Sequence, residues 1–307
     1  MTINVSLMGG LGNQLFQLAL GLNFAKTNQV NLIPILGNSR RNSLGEVEIS
    51  SLNLSQNVTI QEISALNSRM VSLGLACGLR VSTSRESKYL IMALEKAIPI
   101  AMRNTKLRIA FARGGGSGIS ELQEPDVFYV GYFQSHKFAA DKNVFSKLMN
   151  LSPKTSSQSL EEMVQRVQAS RPILLHVRLT DYLRESSFGL PAQTYYREAI
   201  KRVSEACGDV DIWVFSDDPS RALSYLPKEF MDRYRLAPAF EETVHTFELM
   251  RHFSGFIVAN SSFSWWAAHL RMDRNAVVIH PWPWFKTSLH DKEDLVPEGW
   301  IEVASKI

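Results

Sequence analysis

The sequence predicts an α/β fold in which helices cover both faces of parallel strands. Short, continuously apolar segments alternate with helical patterns in the second half of the chain. The strand segments are 172–177, 211–215, 255–259 and 276–279, and the helical segments are 159–169, 193–207, 219–226 and 241–253. This alternation is typical of a parallel sheet that is buried on both faces. The length of 307 residues further indicates two lobes of ordinary size.

The first half of the chain begins with a strand, a turn and a helix. Residues 3–8 are predicted to form a buried strand, and a glycine turn then leads into a helix with apolar side chains at helical intervals. We expect loops and short strands over 38–64, mostly helix over 65–110, and a buried strand over 127–131. Pro99 is expected to break or kink the helix that contains it.

A polar, serine-rich segment at 151–161 marks the expected boundary between the lobes. We therefore predict an N-terminal lobe over 1–155 and a C-terminal lobe over 156–307. An alternative for the C-terminal tail is that it packs against the N-terminal lobe.

The composition is that of an ordinary soluble globular protein, with 45% apolar and 21% charged residues. A net charge of +3 argues against a strong nucleic-acid role and is compatible with an anionic ligand. The two cysteines, Cys77 and Cys207, are far apart, which favours two reduced thiols in the cytoplasm. The N-terminus lacks a signal-peptide pattern, and no apolar run approaches the ~20 residues of a membrane span.

Basic residues are concentrated between Arg69 and Arg113, where the sequence has nine lysines and arginines and two glutamates. One interpretation is a surface helix with a solvated basic face. The other is a patch that rests on the inner face of an anionic membrane or holds an anionic glycolipid.

Polar residues follow the first of the C-terminal strands. His176 and Arg178 lie two residues apart as the strand ends, so their side chains leave on the same face. The planar fork of an arginine suits a diphosphate, because it donates two hydrogen bonds to phosphate oxygens. Asp181 follows three residues later and can orient Arg178 or a sugar hydroxyl. The alternative is a structural Arg–Asp pair that caps the strand.

The second strand end carries the adjacent acids Asp217 and Asp218. They could accept hydrogen bonds from a nucleotide base or ribose. Equally, Asp218 followed by Pro219 could simply begin a helix, with aspartate as N-cap and proline in the first turn.

The third strand end runs into a helix through Ser261, Ser262, Phe263 and Ser264. Free backbone N–H groups at a helix start, with serine hydroxyls beside them, form a phosphate site without a metal. The alternative is a serine that acts only as an N-cap. The following Trp265 and Trp266 are expected in the core.

The N-terminal glycine turn contains Gly10, Gly12, Asn13 and Gln14. It lacks the Lys-Ser/Thr of a P-loop and the spacing of the dinucleotide fingerprint, so the spacing alone indicates a tight turn. Its glycines still allow a substrate to approach the backbone, with the two amides available to sugar hydroxyls.

An Asp-x-Asp sequence, Asp209 to Asp211, raises the question of a metal site. It begins the strand at 211–215 and so lies at the edge of the sheet away from the expected ligand side. We therefore predict no metal, because Arg178 and a helix N-terminus can stabilise a leaving diphosphate.

Taken together, five motifs resemble the α-1,2-fucosyltransferases of glycosyltransferase family 11, in the family's order. They are Gly9-Gly-Leu-Gly-Asn-Gln-Leu-Phe-Gln17, Gly131-Tyr-Phe-Gln-Ser135, His176-Val-Arg-x-x-Asp-Tyr182, Phe215-Ser-Asp-Asp218 and Asn260-Ser-Ser-Phe-Ser-Trp-Trp266. The tail, with Pro281, Trp284-Phe285 and Trp300, also fits.

The resemblance implies a GT-B-like fold of two Rossmann-like lobes with a cleft between them. It implies inverting, metal-independent transfer of L-fucose from GDP-β-L-fucose to O2 of a terminal galactose on a glycan or glycolipid, with no cofactor. Arg178 would bind the β-phosphate of GDP beside His176, and Asp217 or Asp218 would complete the nucleotide pocket with the turn at 261–264. Asn13 and Gln14 would face the cleft from the acceptor lobe.

Two features leave alternatives open. The family commonly has Arg-Gly where this chain has Leu179-Thr180, so a second arginine is missing. The general base is not identified by the sequence, with Asp181 as first candidate and His176 as second. The alternatives are transfer with another linkage or another nucleotide sugar, and a non-catalytic protein that binds nucleotides or glycans.

Overall fold

The computed structural model describes most of the chain. The described residues are 2–26, 28–35, 47–64, 66–72, 85–103, 106, 108–112, 127–179, 189–285 and 292–306. The chain divides into two compact units, each built from separate stretches of sequence. Unit 1 comprises Met1–Ser152 with Leu289–Val296, and unit 2 comprises Pro153–Ser288 with Pro297–Ile307.

Unit 1 contains a five-stranded parallel sheet in the order β3-β2-β1-β5-β4. The strands are β1 Thr2–Leu7, β2 Gln29–Pro34, β3 Val58–Ile60, β4 Arg108–Phe111 and β5 Val127–Val130. The helices are α1 Leu11–Ala25, α2 Arg85–Ala101, α3 Lys142–Met149 and, near the C-terminus, α9 Lys292–Leu295. Residues 66–72 are also helical, and 3₁₀ turns occupy Glu48–Ser51 and His136–Ala139.

Unit 2 contains a six-stranded parallel sheet in the order β11-β10-β9-β6-β7-β8. The strands are β6 Ile173–Val177, β7 Ile212–Ser216, β8 Tyr234–Leu236, β9 Gly255–Ile257, β10 Val277–Trp282 and β11 Ile301–Ala304. The helices are α4 Gln158–Ser170, α5 Gln193–Cys207, α6 Pro219–Tyr225, α7 Thr243–Met250 and α8 Ser262–His269. A 3₁₀ turn spans Lys228–Arg233.

Both sheets are parallel and carry helices, which confirms the predicted α/β class. Inner strands of both sheets are buried along their length, since every residue of β5 and β6 is buried. The sheets therefore lie inside their units rather than at the surface.

Pro99 does not end its helix, because α2 continues to Ala101. The expected break is therefore wrong. A proline removes one backbone donor and frees the carbonyl four residues earlier, and here this happens in the last turn of the helix. The turn beyond is closed by a hydrogen bond of 2.8 Å from Met102 N to Ile98 O.

None of the helices in the described part of the chain combines the length and the apolar character that crossing a membrane requires.

Candidate functional site

Three strand ends predicted to bind a ligand lie side by side in unit 2. Strand β6 pairs with β7 on one side and with β9 on the other. Val177 lies opposite Ser216, and Leu175 lies opposite Ile257. The chain runs from β6 outward through β7 and β8 and then returns to β9, so a topological switch point separates β6 from β9. Ligands of open α/β sheets bind at the carboxyl ends of the strands at such a point.

The end of β6 presents alternate side chains to opposite faces. Val177 and Leu179 belong to the buried apolar core of unit 2. His176 and Arg178 therefore lie on the other face, as the two-residue spacing predicts. Leu179 is only 3% exposed, so the position where the family commonly has a second arginine is a core position in this chain.

Asp217 fixes the geometry of the Arg178 side chain. Its Oδ2 lies 3.2 Å from Arg178 Nε, and its Oδ1 accepts a 2.8 Å hydrogen bond from the Leu179 backbone N–H. One carboxylate on β7 thus holds both the guanidinium and the backbone that follows β6. The sequence predicted this orienting role for Asp181, which lies outside the described residues together with Thr180.

Asp218 is the N-cap of α6, with Pro219 in the first turn. Its Oδ1 accepts hydrogen bonds from Ser220 Oγ at 2.6 Å and Arg221 N at 3.2 Å. These bonds, led by that from the Ser220 hydroxyl, hold the pKa of the carboxyl below its ordinary value. Of the two alternatives for Asp218, the structure favours the helix cap. A contact of either acid with a base or ribose stays a prediction.

His176 is a buried imidazole that lies close to Phe263 and to the Arg178–Asp217 pair. It is 4% exposed, and its ring centroid lies 6.4 Å from that of Phe263 on α8. Burial, followed by the repulsion from Arg178, lowers its pKa to about 3, although Asp217 opposes the shift. Its Nδ1 has no hydrogen-bond partner among the described residues. A group with so low a pKa is a weak proton acceptor at neutral pH, which argues against His176 as general base.

The start of α8 lies beside His176 at the switch point. Ser261 occupies the N-cap position in an extended conformation, and its side chain makes no capping hydrogen bond. Asn260 comes just before this helix start. Its Nδ2 donates hydrogen bonds to Gly189 O at 3.0 Å and to Trp284 O at 3.1 Å.

Within this turn, the predicted role of Ser264 needs correction. Ser264 is fully buried, and its hydroxyl donates to Ser261 O at 3.4 Å, so it closes the turn internally. Ser262 and Phe263 are partly exposed and remain available to a ligand. Trp265 and Trp266 are fully buried, which confirms their expected place in the core.

In unit 1, the glycine turn after β1 meets the segment after β5. Gly9 has a φ of +72°, and a Cβ there would lie 2.5 Å from Asn13 Nδ2. Asn13 Oδ1 accepts a 2.8 Å bond from Gln134 Nε2. Gln17 joins the two strand ends through a 3.0 Å bond to Gly131 O. Asn13 is partly exposed, and its contact with a ligand stays a prediction.

Two other predictions in this turn are wrong. Gln14 is buried, its Nε2 donates to Gly9 O at 2.8 Å, and its Oε1 accepts from Ile49 N at 2.9 Å. Its amide therefore braces the turn and does not face a sugar. Gly12 is buried in the first turn of α1, whereas Gly10 is exposed, so close approach of a substrate remains possible only at Gly10.

Glu48 lies at the glycine turn, a position that the sequence did not indicate. Its Oε2 accepts a hydrogen bond from Leu11 N, at the first residue of α1. A carboxylate thus occupies the positive end of this helix. Glu48 is 37 residues from Leu11, and no local pattern in the sequence signals such a contact.

The Asp-x-Asp acids are engaged in ion pairs. Asp209 lies 2.9 Å from Arg233 Nη1, and Asp211 lies 3.0 Å from Arg235 Nη2. Both acids precede β7, at the end of the strand opposite to Asp217. In the described parts of the chain, no three histidine, cysteine or acidic side chains cluster as metal ligands.

The family model of glycosyltransferase family 11 matches residues 122–304, which is more than half of the chain. The chain belongs to glycosyltransferase family 11. The match includes every strand of the unit 2 sheet and therefore all three strand ends of the candidate site. This family 11 glycosyltransferase has two parallel sheets, one in each unit.

Relatives of this family 11 glycosyltransferase come from Escherichia coli. An alpha-1,2-colitosyltransferase is 23% identical over 305 residues, with 97% of each chain covered. The O-antigen biosynthesis glycosyltransferase WbnK is 30% identical over 135 residues, with 42% of this chain and 43% of the relative covered. The structure of E. coli ADP-heptose LPS heptosyltransferase II aligns over 99% of this chain and 90% of that chain, with 13% identity and a TM-score of 0.49.

Proposed function

We propose that this glycosyltransferase moves L-fucose from GDP-β-L-fucose to O2 of a terminal galactose, with inversion and without a metal ion. One observation carries the proposal. The Arg178–Asp217 pair joins the ends of β6 and β7, and the start of α8 follows the neighbouring strand β9 across the switch point, with Phe263 of α8 near His176. A nucleotide diphosphate is the ligand class that such an arrangement fits best.

The leaving diphosphate gains negative charge as the bond to the sugar breaks. Arg178 can donate two parallel hydrogen bonds to it, and Asp217 holds the guanidinium in place before the substrate arrives. The N–H groups of the first turn of α8 add a partial positive charge without a competing side-chain cap. Charge stabilisation by fixed groups is a large part of many enzymic rate enhancements.

The contrast between two helix starts supports the assignment of the donor to unit 2. The start of α1 is already occupied by the Glu48 carboxylate, which would repel a diphosphate. The start of α8 carries no such acid, and Arg178 and His176 are near. We therefore propose that unit 1 binds the acceptor, with Asn13 close to its hydroxyl groups.

Inversion requires the acceptor hydroxyl to attack the anomeric carbon from the face opposite to GDP. A base removes the proton of that hydroxyl as the new bond forms. We propose Asp181 for this role, because the low pKa of His176 makes the imidazole a poor acceptor at neutral pH.

The test is replacement of Arg178 by alanine, with GDP-fucose as donor and lactose as acceptor. Loss of one charge-stabilising donor is expected to lower kcat by about 10²–10³-fold. Arg221→Ala is the matched control, because Arg221 is exposed and pairs with the capping Asp218 instead. Product linkage is assigned by NMR.

Near-normal turnover by Arg178→Ala would overturn the assignment of the diphosphate site. Binding of GDP by the unaltered protein, measured by calorimetry, without transfer to any galactoside would favour the non-catalytic alternative instead.

A second donor is favoured by the full-length likeness to an alpha-1,2-colitosyltransferase. Colitose is L-fucose without its 3-hydroxyl group. A site that hydrogen-bonds this hydroxyl rejects a sugar without it by about 10⁴–10⁵-fold. Comparison of kcat/KM for GDP-fucose and GDP-colitose with one acceptor therefore decides between the two donors.

A further inference from the structure

Helix α2 of unit 1 has two faces of different character. Its inner face contributes Leu94, Ile98 and Met102 to an apolar cluster that also contains Ile109 and Phe111. These three residues recur at intervals of four, as expected for one side of a helix.

The only acid among the described side chains of this helix also takes part in the packing of unit 1. Glu95 Oε1 accepts a 3.2 Å hydrogen bond from Phe111 N, on the edge strand β4. The outward face of α2 is therefore not acidic over the residues 92–101.

The outer face of α2 is apolar where a surface helix is normally polar. Met92 is 46% exposed and Ile100 is 65% exposed, and Lys96 lies between them at the same helical spacing. Ala93, Ala97 and Ala101 are the other exposed residues of this stretch. A single basic side chain among five apolar ones leaves this face without the solvation that an exposed helix usually has.

The charges around this face are predominantly positive. Arg103, Lys106 and Arg108 follow the helix and are exposed. The helical segment 66–72 packs on the same apolar cluster through Met70 and Val71. That segment exposes a second apolar side chain with a basic neighbour, since Leu66 is 68% exposed and Arg69 is also exposed.

We propose that the outer face of α2, from Met92 to Arg103, docks on an anionic lipid surface. Apolar side chains of this size can enter the boundary between head groups and acyl chains, while basic side chains remain at the level of the phosphates. Met92 and Ala101 are about 14 Å apart along the helix, so several head groups can be contacted at once. This inference goes beyond the transfer reaction and needs neither donor nor acceptor for its test.

Charge favours lipid over a second copy of this chain. Two copies meeting through this face would bring Lys96 and Arg103 of each close to the same positive groups of the other, and like charges repel. An anionic bilayer attracts every basic group of the face, and each lysine or arginine near the surface changes the binding constant by roughly fivefold.

The experiment is flotation of the full chain with vesicles of phosphatidylcholine containing phosphatidylglycerol, compared with phosphatidylcholine alone. We expect binding to the anionic vesicles that weakens in high salt, because salt screens exposed charges. The double variant Met92→Ser with Ile100→Ser should bind at least roughly tenfold more weakly, as two exposed apolar side chains no longer enter the bilayer. Lys96→Gln should weaken binding by roughly fivefold.

A matched pair in unit 2 is the control. Met231 is 43% exposed and Lys201 is exposed, so Met231→Ser with Lys201→Gln removes one exposed methionine and one exposed lysine elsewhere. This variant should float like the unaltered protein. Met92→Trp provides a second readout, because its fluorescence should shift to the blue with anionic vesicles only.

Three outcomes would overturn the proposal. They are no flotation with either vesicle, equal flotation with both, or an unaltered protein that is dimeric in solution while the Met92→Ser, Ile100→Ser variant is monomeric. The last would assign the face to self-association. Transfer to soluble lactose is measured on the same variants and should be unchanged, so a failure of the docking proposal is distinguishable from a failure of the proposed reaction.

Discussion

At the scale of single residues, the proposed diphosphate site depends on the ion pair between Arg178 and Asp217. A free arginine samples many rotamers, and fixing it costs conformational entropy when the ligand arrives. Asp217 lowers that entropy cost because it holds the guanidinium before the ligand binds. Its own position is fixed by the hydrogen bond that its second oxygen accepts from Leu179 N. Asp217 therefore positions the guanidinium of Arg178.

Asp217→Asn is expected to lower kcat/KM for the donor by about 10- to 100-fold, equivalent to a charged hydrogen bond of about 1.5–3 kcal/mol. The effect should fall mainly on the donor KM, with the acceptor KM unchanged, and Asp217→Glu should recover part of it. Steady-state kinetics with varied donor concentration measures the change.

The neighbouring acid is the control for this prediction. Asp218→Asn keeps an N-cap side chain of similar quality and should leave donor kinetics intact. Equal losses in the two variants would contradict the positioning role of Asp217.

His176 should make the stability of unit 2 depend on pH. Its pKa of about 3 in the folded protein lies below its ordinary value of 6.5, so the unfolded chain binds the proton more readily. The contribution of neutral His176 to the free energy of unfolding is therefore complete above pH 6.5. It is lost as the pH falls toward 3, at up to about 1.4 kcal/mol per pH unit.

Thermal unfolding at pH 7.5 and pH 5 tests this contribution. The unaltered protein should lose about 2 kcal/mol between pH 6.5 and pH 5 through His176 alone. His176→Leu removes the titrating group and should have a smaller difference between the two pH values. An equal decrease in the free energy of unfolding of both proteins would contradict the assignment of this pH dependence to His176.

At the scale of secondary-structure elements, the turn between β1 and α1 depends on local backbone geometry. The φ of +72° at Gly9 favours glycine, and the space where a Cβ would lie is filled by Asn13. Any side chain at this position must displace the Asn13 amide, which is bonded to Gln134.

Gly9→Ala is expected to destabilise the protein by about 1–3 kcal/mol, because backbone strain adds to this steric contact. Gly208 is the matched control, since it has a φ of +76° and no atom within 4 Å of the point where a Cβ would lie. Gly208→Ala should cost about 1 kcal/mol from strain alone. Chemical denaturation measures both, and equal costs would show that the Asn13 contact is unimportant.

The sequence predicted the elements with strong apolar patterns. Helix α5 was expected at 193–207 and is found at Gln193–Cys207, and β6, β7 and β9 begin within one residue of their expected starts. The strands β2, β8 and β11 were not identified, and β4 begins within the segment that was expected to be mostly helical. Short strands of this kind are stabilised by neighbours in the sheet, which local sequence does not encode.

Side-chain partners were harder to predict than elements. The sequence placed Arg178 and Asp217 at strand ends, but their contact follows from the pairing of β6 with β7. The burial of Gln14 likewise depends on Ile49, which is 35 residues away along the chain. Contacts of this range are set by the register of the sheet and by the loops around it.

At the scale of the whole molecule, the charge arrangement supports a reaction that needs no metal. Arginine and a helix start provide the positive charge, and the Asp-x-Asp acids already pair with Arg233 and Arg235. We expect transfer to persist in excess EDTA, with no stimulation by Mg²⁺ or Mn²⁺. Asp209→Asn should retain full turnover. Activity lost in EDTA and restored by Mn²⁺ would contradict this prediction.

The assignment of residues 289–296 to unit 1 has a consequence for hybrid enzymes. The chain passes between the units after Ser152, returns with α9, and leaves again after Val296. In α9, Asp294 pairs with Lys137 and Leu295 is buried, so this short piece is part of the packing of unit 1. A chimaera that exchanges unit 1 between relatives must therefore exchange two segments at three crossover points, and a single cut after Ser152 would leave that unit incomplete.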